Sequence, residues 1–207
     1  MLTSYRTPTD ELSLEARLYT MAVKTPDGQL YKDNDSSLDV EQLPGIEHHV
    51  QSYLRNEGKE LAAYLKDRHG KDIKLDAVGS AKLPEDVVAA VASNKYANVL
   101  LANRGFESKV RRMAANYGLS MDEGVTYVMS HEMVHAAGVH EETKVEGMLA
   151  SYFTQQSAKY AKLAAAAPES LRGDHQKKAD SYQRLAGAAK TRAALGEERL
   201  KGYATKN

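Results

Sequence analysis

The chain has 207 residues, 42% of them hydrophobic, no cysteine, and 28 basic side chains balanced by 28 acidic ones. This excludes disulfides, thiolate metal sites and cysteine nucleophiles, argues against global disorder, and leaves no net charge to draw nucleic acid or an anionic membrane surface. The N-terminus, MLTSYRTPTDELSLE, lacks a basic start followed by an apolar run, and no stretch approaches the roughly 18 apolar residues of a membrane span, so a cytoplasmic protein is expected. Charge is uneven only locally. Asp10 to Glu41 carries eight acids against three bases, and Glu169 to Lys206 carries nine bases against five acids.

In chain order, Thr25-Pro26-Asp27-Gly28 between extended runs predicts a hairpin, and the polar stretch from Asn34 to Gly45 predicts a linker. From Ile46 to about Arg68, Val50, Tyr53, Leu54, Leu61, Tyr64 and Leu65 recur at helical spacing, and Gly70 closes the segment. Ile73 to Val78 alternates and predicts a short strand. Pro84 to Ser93 predicts a helix with proline in its first turn. YANVLLA, Tyr96 to Ala102, predicts a strand, and Phe106 to Tyr117 a helix ending at Gly118.

Ser120-Met-Asp-Glu123 has the form of a capping box, a serine followed three residues later by glutamate. It predicts a helix running to about Ala137, with Gly138 as a left-handed stop. Thr143-Lys-Val-Glu146 has the same form and predicts a second capped helix, with Val145, Met148, Leu149, Tyr152 and Phe153 on one face, fading before Pro168. The remainder is helix-prone but interrupted by Gly173, Gly187 and Gly196. The predicted organisation is an N-terminal hairpin and linker over 1–45, an α+β core over 46–166 and a helical C-terminal extension over 167–207.

The chemistry concentrates in SHEMVHAAGVHEE, Ser130 to Glu142. His131 and His135 are four residues apart on a predicted helix, so both imidazoles project from one face, one turn apart. That spacing lets two nitrogens grip one zinc ion. Glu132, beside the first histidine, is placed to take a proton from a metal-activated water. Val128, Met129, Met133 and Val134 supply the apolar flank such a site needs. A catalytic zinc takes three protein ligands, and the candidates for the third are His140, Glu141, Glu142 and Glu146. Tyr152, Tyr160 and Tyr182 are candidate donors to a tetrahedral oxyanion.

HEMVHAAGVHEE resembles the active-site helix of the zincin metallopeptidases, and the resemblance covers about residues 72 to 155. It implies a small zincin-like sheet with an active-site helix and a following glutamate helix. It also implies His131 and His135 as zinc ligands, Glu132 as general base and later proton donor, and YANVLLA at the sheet edge along which a peptide aligns. The metzincin pattern H-x-x-G-x-x-H is met at Gly138, but its last position is Glu141, with His140 one residue early. The gluzincin pattern, with a glutamate ligand on the next helix, is met by Glu146 in KVEGMLASYF, and the short connection is similar to that of minigluzincins. The resemblance therefore implies a zinc-dependent metalloendopeptidase acting on a peptide or protein substrate. The alternatives are a helical interaction protein with an incidental or structural histidine pair, and a zinc amidohydrolase acting on something other than protein. The C-terminal helical segment is the surface expected to self-associate.

Overall fold

The computed structural model describes residues 52–54, 56–73, 75, 77–81, 83, 85, 87–93, 98–103 and 105–204. The expected hairpin at 25–28, the linker and the first turns from Ile46 lie outside the described residues. The fold is α+β, mostly helical, with a small sheet. Its elements are α1 (Glu57–His69), β1 (Ala77–Ala81), β2 (Ala89–Ser93), β3 (Asn98–Asn103), α2 (Phe106–Asn116), α3 (Met121–Ala136), α4 (Glu142–Ala166) and α5 (Glu169–Ala204). They group into two compact units, one ending at residue 138 and without 116–119, the other made of 116–119 and everything from 139 onward. The composition shift near 167, expected as a boundary, falls in the turn between α4 and α5, inside the second unit.

In the first unit the strand order is β1-β3-β2. β3 pairs in parallel with β1 (Ala77 opposite Val99) and antiparallel with β2 (Ala90 opposite Leu101). Two expectations are corrected here. The helix expected from Pro84 to Ser93 gives way to a strand: Ala89–Ser93 is the edge strand β2. YANVLLA is not the sheet edge either, because its described part lies in β3, the central strand. The cause is tertiary. Asn103 donates through Nδ2 to the carbonyls of Val87 (2.6 Å) and Leu83 (3.3 Å), and its Oδ1 accepts from the Leu83 N–H at 3.3 Å. These bonds tie Leu83 and Val87, ahead of β2, to the last residue of β3. Val87, Val88 and Val91 suit an extended conformation, and pairing with β3 outweighs the helical leaning of the alanines.

Helix α3 begins as predicted. Ser120 Oγ accepts from the Glu123 N–H at 3.2 Å, and Glu123 Oε2 accepts from the Ser120 N–H at 2.8 Å. Gly118 before it and Gly138 after it both take positive φ, 64° and 77°, a region open to glycine without strain. Tyr53 and Ser130 share a buried 2.9 Å hydrogen bond that ties residues 52–54 to the middle of α3. Helices α2 and α3 approach closely at Gly124, where an added Cβ would sit 2.8 Å from Val110 Cγ1 and 2.9 Å from Ala114 Cβ. Gly124→Val is therefore expected to cost about 1–3 kcal/mol through overpacking, read as a lower urea midpoint at unchanged slope.

In the second unit α4 and α5 form a long antiparallel hairpin. Its seam carries Leu149, Phe153, Tyr160, Tyr182, Leu185 and Ala189, all buried. The Tyr160 and Tyr182 rings stack at 5.6 Å, 13° apart. Gly173, Gly187 and Gly196 do not interrupt α5, which runs unbroken from Glu169 to Ala204, because packing along α4 outweighs a glycine cost of about 1 kcal/mol each. The second capping box does not form. The N-cap of α4 is Glu141, with no side-chain cap bond, and Glu146 is used elsewhere. No helix among the described residues is long and apolar enough to cross a membrane.

Candidate metal centre

His131 and His135 lie in the last two turns of α3, and both are buried. Their Nε2 atoms face each other at 3.0 Å, with the rings edge to face. Two nitrogens held about 2.0–2.1 Å from a tetrahedral zinc stand roughly 3.3 Å apart. The pair is thus already close to the spacing of two ligands on one ion, and the same spacing allows an N–H to donate across it in the absence of a cation. Both histidines present Nε2, the nitrogen farther from the backbone, from the one face that their helical spacing predicts.

Glu132 is 1% exposed, and its Oε2 accepts from the Val91 N–H at 3.0 Å. The register explains why that donor is available. Val88 accepts from the Asn103 N–H at 2.9 Å, so Val88 and, alternating from it, Ala90 and Ala92 turn their polar groups toward β3. Ala89, Val91 and Ser93 turn theirs toward the open edge. Glu132 is therefore anchored to the middle of the edge strand, one residue from the first histidine. A buried carboxylate holding a backbone N–H is fixed in place, as a proton acceptor in a reaction must be.

The candidates for the third ligand all belong to the second unit. His140 and Glu141 are exposed. Glu141 accepts from Lys144 Nζ at 2.6 Å and from Thr143 Oγ1 at 3.0 Å, and these bonds, Lys144 first, hold its carboxyl below the usual range. Glu142 is half-buried at the first residue of α4. Glu146 is 2% exposed, and its Oε1 accepts from Arg192 Nε of α5 at 2.6 Å. Arg192 was missed from sequence, although its spacing marks it. Tyr182, Leu185, Ala189, Arg192 and Gly196 follow one another at intervals of three and four, so the arginine falls on the buried stripe of α5. Tyr152, Tyr160 and Tyr182 are buried side chains of the second unit, and Tyr160 accepts from Lys178 Nζ at 3.3 Å.

No protein-family model, curated protein or solved structure gives a significant match to the chain.

Proposed function

We propose that the chain is a zinc-dependent metallopeptidase of the gluzincin type, with His131 and His135 as ligands and Glu132 as general base. The observation that carries the reading is the 3.0 Å approach of two buried Nε2 atoms on a helix whose intervening glutamate is fixed to the edge strand. A bound zinc ion supplies Lewis acidity, making water acidic and polarising a carbonyl. Glu132 accepts the proton of the attacking water on its carboxylate and returns it to the leaving amine. Around it, β2 offers outward backbone groups, and the apolar flank of α3 limits water.

The third ligand is a carboxylate from the start of α4. Glu142 lies only four residues past Gly138, where the chain turns. The zincin resemblance points instead to Glu146, one turn further along α4. We favour Glu142, because it lies nearer the histidines in the chain, only seven residues past His135. Glu142→Ala is expected to weaken zinc binding at least about a hundredfold, more than the loss of an outer-shell partner typically does. Glu146→Ala is expected to weaken it less. Competition with a chromophoric chelator ranks the two variants, and the reverse ranking would assign the ligand to Glu146.

The reading as a whole is tested on the purified full chain. The expected result is one zinc per chain by elemental analysis, and cleavage of casein that a chelator stops and zinc restores. A chain that binds no zinc, or binds it and cleaves no peptide bond, is not a metallopeptidase.

A further inference from the structure

Two demands meet at one backbone group of the first unit. Among the described residues β2 pairs only with β3, so the N–H and C=O groups of Ala89, Val91 and Ser93 face its open side. That side is a template for one more strand. Whichever way an extended peptide runs, its carbonyls accept from those outward N–H groups. The middle one is already engaged. Val91 N–H donates to Glu132 Oε2 at 3.0 Å, and Glu132 is 1% exposed. A carboxylate oxygen therefore stands where the carbonyl oxygen of an added strand would stand. One N–H does not serve two oxygens at full strength, and a carboxylate is a stronger acceptor than a neutral carbonyl.

We propose that Glu132 latches the edge strand. An extended peptide that pairs along β2 takes the Val91 N–H from Glu132, and the displaced carboxylate regains Oε2 as an acceptor for the proton of the attacking water. Strand pairing and release of the base are then one event. The coupling favours a ligand with a continuous extended backbone over a compact amide, which brings no row of carbonyls in register with β2. The inference rests on the metallopeptidase reading above for the choice of a peptide as ligand. The latch itself is built from α3 and β2 alone.

The test is peptide binding, read without catalysis. A fluorescein-labelled peptide from casein is titrated into the zinc-free full chain and followed by fluorescence anisotropy, with thermal unfolding of each variant in parallel. Glu132→Ala removes the competing oxygen and is expected to bind the peptide about tenfold tighter than wild type, the scale of one charge-assisted hydrogen bond. Glu132→Gln keeps an acceptor for the Val91 N–H and is expected to bind within a few fold of wild type. Val91→Pro deletes the N–H at a position outside the ladder with β3, where an edge strand tolerates proline. In that background the gain from Glu132→Ala is expected to vanish. Hydrogen exchange places the ligand: the Val91 amide is protected in wild type, exposed in Glu132→Ala, and protected again when the peptide binds. A purely structural link between α3 and β2 predicts instead that Glu132→Ala melts lower and binds the peptide no tighter. That result overturns the latch, as does a peptide that leaves the Val91 amide of Glu132→Ala exposed or fails to bind any variant. Zinc content and casein cleavage decide the metallopeptidase reading separately, so either reading can fall while the other stands.

Discussion

Glu132→Gln is expected to leave zinc bound and the fold intact while reducing peptide hydrolysis by roughly a hundredfold to ten-thousandfold, the range typical of a general acid–base residue. The structure makes the variant informative. Glu132 is buried, and its Oε2 accepts from the Val91 N–H. The glutamine carbonyl oxygen can accept the same bond, so the link between α3 and β2 survives. What is lost is the capacity to take a proton. Hydrolysis of casein, zinc content and the unfolding midpoint are measured on one preparation. Activity within a few fold of wild type would remove Glu132 from the reaction, and a large fall in the midpoint would show that its role is structural.

His131→Ala and His135→Ala are expected to lose zinc itself. Each removes one of the two nitrogens now 3.0 Å apart, and a remaining histidine and carboxylate form a weak site in competition with water. The expected loss in affinity exceeds about a hundredfold, beyond the effect of losing an outer-shell group. Zinc also stabilises the folded chain by mass action. The melting temperature of wild type should therefore rise when zinc is added, and that of either variant should not. Equal zinc stoichiometry in wild type and variants would end the assignment of these histidines.

Much of the candidate site is legible in the sequence, and the reason is local geometry. A helix places residues four apart on one face whatever surrounds it, so the pairing of His131 and His135 follows from spacing alone. The capping box at Ser120 and Glu123 and the left-handed stop at Gly138 are likewise interactions within a few residues of chain. Where the same signature at Thr143 and Glu146 failed, both side chains have other partners: the Thr143 hydroxyl, already inside α4, donates to Glu141. Arg192, 46 residues further along, takes the Glu146 carboxylate, and an ionic partner outcompetes the neutral backbone N–H of a cap.

The tertiary structure decided how the strands pair and which distant partners meet. Ala89–Ser93 reads as helix by composition and is a strand because it pairs with β3, while Asn103 ties down the residues just before it. That single reassignment moves the sheet edge from YANVLLA to β2 and places Val91 opposite Glu132. Helix α5 is continuous through Gly173, Gly187 and Gly196 because its apolar stripe lies along α4. By itself the sequence determined a capped helix, two histidines on one face and a glutamate beside them, since a helix satisfies its backbone within its own segment. Strand pairing and ion-pair choice join residues far apart in the chain, and there only the packed fold selects among the partners the sequence allows.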